Sequence, residues 1–586
     1  MKYTCDFETC TWLDNETYVW AWALCNIENT KDIKIGNDIN ELFDIWSKKS
    51  SKIYFHNLKF DGEFIIYYLL HDLGFTWIKD KKERRDKTFT TLITDIGVFY
   101  SIEIYWKVED KKHIVKTTIY DSLKIIPFKV EEIPKTFGLD NIKKLEIDYN
   151  AYREKGHILT ENEKEYIKCD VEIVARALKI LFDNKLTGMT AGSNALNYFK
   201  ELFKKNKNFD LYFPELTREV YEDLKQAYKG GFTYLNSKFK SVENQTTYIL
   251  DVNSLYPSRM RYCQMPFGEP IFFEGKYKQD KIYDLYIQRI ICSFKIKKNK
   301  IPTIQLKNSN FFLENEYVES THGKIVELTL SNIDLELFFS HYEVSDLDFI
   351  CGWKFKSTLH IFDEYIDYWI SVKNKATIEK NKGMRALAKL ELNSLYGKFA
   401  TSMKSIKKEP YLENDIVKYK NLDEEEKKGL YIPIGIFITS YARFLTIETS
   451  QKIKEYSIEK YGSDMYIYSD TDSIHTLLPI EELKYFCEID DVELGKWKHE
   501  GTAIRSKFIR QKTYLEEFID EETHEKFLKI TCCGMPSRCY KYVTWDNFLE
   551  NASYPDKLRF SHVKGGVKLV NTEFTIKSNI KSKKYF

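Results

Sequence analysis

Residues 464–478 read DMYIYSDTDSIHTLL, two β-prone runs on either side of Asp470-Thr471-Asp472. That pattern predicts a β-hairpin with the acids near its turn. Asp470 and Asp472 are two residues apart, so an extended chain presents them together. A lone Asp-x-Asp is common in surface turns; YSDTDS inside a hairpin is a far more specific signal. Working outward, TYILDV (247–252) is a second β-rich run that ends on an acid, Asp251, and is expected to turn at Asn253 and Pro257. A strand-to-turn junction exposes backbone N–H groups that can hold a triphosphate. Beside Asp251, the acidic pair would make a two-metal site, with one ion lowering the pKa of an attacking hydroxyl and the other neutralising a departing pyrophosphate.

The stretch GMRALAKLELNSLYGKF (383–399) predicts a helix. At about 100° per residue, Arg385, Lys389, Asn393, Tyr396 and Gly397 share an arc of roughly 120°. Such a stripe is a poor core face, and the bland alternative is a solvated one. Next to the aspartates it suits an incoming nucleotide, with Arg385 and Lys389 on phosphates, Tyr396 stacked on a base pair and Gly397 allowing close approach. Three weaker pieces fit. Tyr228-Lys229-Gly230-Gly231 joins an aromatic to a flexible backbone. Thr439 and Arg443, in FITSYAR, lie four apart on a helix and could bind a phosphate backbone. Lys512-Thr513-Tyr514 could hold a primer end. The lysine-rich stretch 404–428 reads as a surface excursion, equally well a solvated loop.

A second carboxylate set lies near the start. Asp6 and Glu8 share one face of a strand-like run, Lys2 to Phe7. A run from Lys52 to Phe55 leads through His56 and Asn57 to Asp61. Residues 160–182 predict an amphipathic helix with a Thr160/Glu163 capping box, and this helix places Tyr166 and Asp170 on one face. Four converging carboxylates repel unless hard cations separate them. Two such ions could activate water for phosphodiester hydrolysis, with Tyr166 orienting that water. Strands first and a carboxylate-bearing helix last suggest an α/β nuclease-like domain up to about residue 190.

Bulk properties bound the answer loosely. A chain of 586 residues exceeds one core, and length suggests roughly four domains. Eighty-nine basic against 88 acidic residues leave +1, so composition alone does not point to nucleic acid; positive groups would have to line a channel. No run is apolar enough for a membrane span, and the start lacks an apolar signal core. Eleven cysteines without repeated CxxC spacing read as reduced thiols in a cytosol.

In order along the chain, DFET, HNLKFDG, YIKCD, YKGG, DVNSLYP, KLELNSLYGK, FITSYAR, YSDTDS and KTY resemble the protein-primed branch of the family B DNA polymerases of small tailed bacteriophages and linear plasmids. The resemblance runs nearly end to end, up to GGVKLVNTEFTIK (565–577). It implies a multidomain α/β fold, with an RNase H-like 3′–5′ exonuclease domain (1–190) followed by a right-hand polymerase domain. The implied parts are palm (191–262 and 429–544), fingers (361–400) and thumb (545–586), with insertions at 263–360 and 401–428. It implies Asp6, Glu8, Asp61 and Asp170 as exonuclease metal ligands assisted by Tyr166 and Lys144. His56, Asn57, Phe60, Ser122, Leu123 and Thr9 would hold single-stranded DNA. Asp251, Val252 and Asp472 would be polymerase metal ligands with Asp470 beside them. Ser254, Leu255 and Tyr256 would bind the nucleotide, Tyr256 excluding ribonucleotides. Tyr228, Gly230, Gly231, Thr439, Arg443, Lys512 and Tyr514 would contact DNA. Arg385 stands where a lysine is more usual.

The implied cofactor is Mg²⁺, two ions per site, with Mn²⁺ as a substitute. The implied partners are template and primer DNA, dNTPs, a terminal protein primer contacted by the first insertion (IPTIQLKNS, LSNIDLELFF) and a single-stranded DNA-binding protein, with no membrane. The chain would be a monomer or a heterodimer with the terminal protein, in the cytoplasm of an infected cell. The second insertion would encircle template and downstream DNA for strand displacement on a linear viral genome. A rival is a replication-associated DNA-binding exonuclease without synthesis. It leaves the intact polymerase acids unexplained, because unneutralised buried carboxylates cost stability.

Overall fold

The structure is a computed structural model; it describes all residues except 110–112, 140, 150, 207, 307–315 and 578–586. The end of IPTIQLKNS (307–309) and the end of the expected thumb therefore lie outside the described residues, as do short pieces of the other expected domains.

The N-terminal third is built on an eight-stranded sheet in the order Ile33–Gly36, Val19–Asn26, Lys2–Thr9, Ser51–Phe55, Ile114–Asp121, Phe99–Val108, Thr88–Ile93, Thr76–Trp77. Lys2–Thr9 and Ser51–Phe55 run parallel, as do Ser51–Phe55 and Ile114–Asp121. Parallel neighbours require crossovers, and the helices Ile39–Lys48 and Leu58–Tyr67 lie in them. Alternation along Val19–Asn26 sorts its side chains. Trp22 and Leu24 pack with Trp46, Phe64 and Ile65 on one face. Ala21, Ala23 and Cys25 face the other way, and their small size lets the helix Glu161–Asp183 lie close. That helix begins with the predicted capping box, Thr160 and Glu163 bonding each other's backbone N–H. Its Val171 carbonyl accepts from Thr4 Oγ1 at 2.8 Å.

The middle of the chain holds a five-stranded antiparallel sheet in the order Trp497–Ala503, Thr247–Val252, Ser473–Thr476, Tyr466–Asp470, Thr233–Leu235. Behind it lies the 30-residue helix Ile432–Tyr461, opened by Pro433 and closed by Gly462 at φ +67°, the usual start and stop chemistry. The helices Asp363–Ile378 and Lys382–Ser394 pack together in front of the sheet. A four-stranded sheet, Met265–Glu274, Tyr342–Thr358, Leu285–Ile296 and Val326–Ser331, occupies most of the stretch expected as the first insertion. A hairpin, Ser553–Val563 with Gly566–Thr575, ends the described chain. No described helix is long and apolar enough to cross a membrane.

Three local expectations are corrected. Pro257 does not turn the chain away; Ser254 at φ +53° starts the helix Leu255–Tyr262, whose first turn accommodates the proline. The helix 383–399 is interrupted in its hydrogen bonding at Leu395. Leu395 keeps helical φ/ψ (−70°, −47°), so the side-chain stripe continues into Tyr396–Phe399. The stretch 404–428 is not a solvated loop. It forms two antiparallel ladders, Lys404–Ser405 with Glu425–Glu426 and Lys408–Glu413 with Ile416–Asn421, and it buries Val417 in the N-terminal core.

Candidate functional sites

The period-2 alternation of Lys2–Thr9 puts Phe7 in the core on one face and turns Asp6 and Glu8 to the face covered by the helix that carries Asp170. Carboxylate oxygens of Asp6, Glu8 and Asp170 lie within 4.8 Å of one another. Asp61 enters from the first turn of Leu58–Tyr67. Burial, then the Asp170 charge, pushes Asp6 up to about 7. Burial, then the Asp6 charge, holds Glu8 and Asp61 well above the carboxylate range. Burial raises Asp170 too, against the pull of Lys144 Nζ, 2.8 Å from Oδ2. Oδ1 of Asp61 and Oδ1 of Asp170 are buried with no hydrogen-bond partner among the described residues. Orphaned acceptors and mutual repulsion together fit divalent cations held by oxygen ligands. Tyr166 is buried and its hydroxyl meets that of Tyr149 at 2.6 Å, so Tyr149, which sequence reasoning missed, joins the site.

The loop beside this cluster is shaped by Asp121. Its Oδ1 accepts the N–H groups of Asn57 (3.1 Å) and Leu123 (3.0 Å), which holds Asn57 at φ +74°. His56 is fixed between Ser122 Oγ and the Phe128 carbonyl. Asn57, Phe60, Thr9 and Leu123 keep exposed surface. Ser122 does not: it is fully buried and its hydroxyl donates to the Phe55 carbonyl, so it supports His56 instead of offering a contact surface.

The second cluster is centred on the predicted hairpin. Tyr466–Asp470 pairs with Ser473–Thr476, Thr471 turns at φ +63°, and Asp251 lies opposite Ser473. Val252 N–H donates to the Asp472 carbonyl at 2.8 Å, which ties the two strands together at the acids. Thr446 Oγ1 and Ser450 Oγ on the long helix bond the Thr471 carbonyl and Ser469 Oγ from behind. Burial, then Asp472 and Glu500, pushes Asp251 up to about 7, and burial raises Asp472. Around Asp470 the contacts are closer-set: Lys512 Nζ lies 2.5 Å from its Oδ1, and Thr233 and Tyr468 donate to it.

In front of Asp251 and Asp472 opens a cleft of about 920 Å³. One wall is the junction Asn253-Ser254-Leu255-Tyr256; the other is the helix stripe Arg385, Lys389, Asn393 and Tyr396. The rings of Tyr256 and Tyr396 lie 4.0 Å apart. Lys373, Lys498 and Glu500 also line the cleft; sequence reasoning missed all three. Lys373 is held below the usual lysine range by burial, then by Arg385 and Lys389. Cations thus face acids across a space open to solvent, an arrangement suited to a polyanion carrying its own metal. A Cβ on Gly397 would meet nothing within 4 Å, so no protein group requires that glycine.

Three other assignments change. Arg443 is buried and all its N–H directions are occupied: Nε and Nη2 hold Asp334, Nη1 holds the Lys229 and Gly230 carbonyls at 2.7 Å, and Nη2 also reaches Ser440. Thr439 is buried and donates within its own helix. Neither presents a surface to a phosphate backbone; Arg443 instead fixes the loop of Tyr228 and Gly230. Tyr514 is buried against Phe508, Tyr468 and His475, under the hairpin and away from any free surface. Gly231 abuts the hairpin turn, where a Cβ would lie 2.5 Å from Thr471 Oγ1.

A family profile described as DNA polymerase type B, organellar and viral, matches residues 44–160 and 146–481. The chain is 43% identical to a DNA polymerase of Bacillus phage B103 and 41% identical to that of Bacillus phage phi29, in each case over 98% of this chain and 99% of the relative. It is 32% identical to a DNA polymerase of Streptococcus phage Cp-1 over 98% of both chains. Among solved structures, the orthorhombic crystal form of phi29 DNA polymerase superposes with a TM-score of 0.90 at 40% identity, covering 98% of this chain and 100% of that one. So does phi29 DNA polymerase complexed with primer-template DNA and incoming nucleotide substrates.

Proposed function

The chain belongs to the organellar and viral type B DNA polymerases, and from that premise we propose that its two carboxylate clusters perform opposite reactions on one DNA 3′ end. It is a multidomain α/β DNA polymerase of the protein-primed branch. Its synthetic centre is the cleft of Asp251 and Asp472. The observation that carries this reading is the cleft itself, in which two raised, partly buried acids face Arg385, Lys389 and Lys373.

Template and primer DNA and a deoxynucleoside triphosphate are the substrates. The cations opposite the aspartates take the triphosphate, and the backbone junction at Ser254 and Leu255 lies against it. Tyr256, backed by Tyr396, forms the floor on which the sugar rests and from which a 2′-hydroxyl is excluded. Asp251 and Asp472, with the backbone of Val252, would hold divalent cations, Mg²⁺ first and Mn²⁺ as substitute. When bound there, these ions supply charge neutralisation at phosphate and a lowered pKa at an attacking hydroxyl. Asp470, already engaged by Lys512, positions the hairpin and is not a first choice as ligand.

Asp6, Glu8, Asp61 and Asp170 form a 3′–5′ exonuclease centre. Its orphaned oxygens would hold the same class of ion, Lys144 holds Asp170 in place, and the Tyr166–Tyr149 pair orients water. His56, Asn57, Phe60, Thr9 and Leu123 line the approach of a single strand. The domain boundaries follow the resemblance: exonuclease to about 190, then palm, fingers and thumb with insertions at 263–360 and 401–428. We assign the first insertion to a terminal protein primer and the second to strand displacement in the cytoplasm of an infected cell.

The test uses purified protein, a primed template, Mg²⁺ and dNTPs. Extension is expected with dNTPs, and degradation of the primer without them. Asp472→Ala should abolish extension and keep degradation; Asp6→Ala with Asp61→Ala should do the reverse. Loss of both activities in both variants would refute two separate centres.

A further inference from the structure

Among the described residues four cations line the cleft, and three of them, Arg385, Lys389 and Lys373, stand on the paired helices. The fourth, Lys498, stands on the opposite wall, among the acids. It belongs to Trp497–Ala503, the outermost strand on one side of the five-stranded sheet. Trp497 pairs with Val252, and Lys498 pairs with Asp251. Residues directly opposite on neighbouring strands share a face. Trp497 and Val252 therefore turn into the core, and Lys498 and Asp251 turn together into the cleft.

The backbone holds Lys498 in that place. Asn253 N–H donates to the Lys496 carbonyl at 3.0 Å, and Gly495 N–H donates to the Asn253 carbonyl at 2.9 Å. Asn253 Nδ2 donates to the Asp490 carbonyl at 2.8 Å. Gly495 is at φ +81°, and a Cβ there would lie 2.8 Å from the Cβ of Ser258. The strand that carries Lys498 is thus stitched to the junction that takes the triphosphate. After His499 the register skips Glu500, a bulge that brings this side chain to the cleft as well.

The side chain of Lys498 is held far less tightly. Lys512 sits on Asp470 at 2.5 Å. The ion pair of Lys498 among the described residues is with Glu500 at 3.8 Å, and the two side chains are 38% and 45% exposed. A pair so long and solvated contributes little, so the ammonium can leave it for a stronger anion. Its charge already reaches Asp251, against the upward push of burial, Asp472 and Glu500. In nucleotidyl transfer the primer oxygen bonds to the α-phosphorus and the bond from that phosphorus to the bridging oxygen breaks. Pyrophosphate leaves with the electron pair, and the hydroxyl proton passes to water. The departing charge is drawn to the helices and repelled by the acid wall, and a cation on that wall offsets the repulsion. We propose that Lys498 is a phosphate-binding residue of the sheet wall, which contacts the β- and γ-phosphates from the side opposite Arg385 and Lys389 and steadies pyrophosphate as it leaves. The proposal rests on the polymerase reading above.

The experiment uses the full chain on a primed template. Lys498→Gln keeps most of the stem and removes the charge. In single-nucleotide addition with enzyme in excess, the dNTP concentration giving half the maximal rate should rise about tenfold. On a matched primer end, the pyrophosphate concentration that half-saturates the reverse reaction should rise by the same factor. Lys498→Arg should recover most of both, and Lys498→Ala should repeat the loss should Lys498→Gln not fold. Parent-like dependence on dNTP overturns the proposal, as does a loss confined to dNTP with parent-like dependence on pyrophosphate. A loss erased by raising Mg²⁺ overturns it too, because Lys498 would then be a counter-ion of the acids alone. Degradation of a single strand should stay at the parent rate; an equal fall there would mark a defect of the fold and overturn the assignment. A parent chain that extends no primer at all would sink the polymerase reading instead.

Discussion

Arg443→Ala removes the guanidinium that pins the Asp334 carboxylate and two loop carbonyls. Asp334 is 7% exposed. Burial pushes its carboxyl up, but Arg443 outweighs it and holds the group below the ordinary value. Without Arg443, Asp334 keeps Ser331 and Ser440 and the field of Lys229, an ammonium that burial lowers to about 8 and Asp334 supports. Breaking a buried pair from one side costs about 3–5 kcal/mol. Because Lys229 partly substitutes, we expect the lower end, about 3 kcal/mol. On a cooperative unit of about 150–250 residues that lowers the melting transition by roughly 6–12 °C, readable by scanning calorimetry. Arg443→Ala with Asp334→Ala should be less damaged than the sum of the single changes. The Lys229 and Gly230 carbonyls lose their anchor in either variant, so the ratio of degradation to synthesis should also shift. A fall of under about 2 °C, or strict additivity in the double variant, would refute the reasoning.

Glu163 gives a pH prediction. Burial raises it, but hydrogen bonds from Arg153, the Thr160 N–H and His157 win and lower it to about 2. A depressed acid stabilises above its unfolded pKa and loses that as pH falls through its folded value, so Glu163→Gln should flatten the acid-unfolding curve between about pH 4.3 and 2; an unchanged curve contradicts this. Asp251 runs the other way. Its folded pKa near 7 means stability present at low pH is lost as pH rises to 7 in metal-free protein. Asp251→Asn should therefore raise the metal-free melting temperature at pH 8 and not at pH 4, and Mg²⁺ should stabilise the parent more at pH 8 than at pH 6; equal effects at both pH values count against the assignment. Gly231→Ala drives a Cβ onto Thr471 and must move the hairpin turn, so extension should fall at least about tenfold while degradation of a single strand persists; parent-like extension would show that the turn tolerates the contact.

Local spacing rules made much of both sites legible. Asp6 and Glu8 share a face because strands have period 2, and the Thr160/Glu163 box marks where the helix with Asp170 begins. Asp470 and Asp472 stand out because a hairpin is a local structure. What stayed hidden depends on partners far along the chain. Arg443 looked like a surface cation, yet it sits on a helix buried along most of its length and meets an acid 109 residues away. Lys373, Lys498 and Glu500 are ordinary charges until the sheet and the two helices bring them to one cleft. In the excursion, Val417 and Tyr419 alternate with Lys418 and Lys420, and the lysines masked an inward face whose receptor is the N-terminal unit.

The central claim, that one chain makes and removes the same phosphodiester at two separate centres, is tested most directly by idling. On a recessed 3′ end with only the next dNTP present, repeated addition and removal converts dNTP steadily to dNMP. The parent should sustain this turnover in Mg²⁺. Asp472→Ala alone and Asp6→Ala/Asp61→Ala alone should produce none, and mixing the two variants should restore it. Turnover by either variant alone, or failure of the mixture when each variant keeps its one activity, would contradict the account.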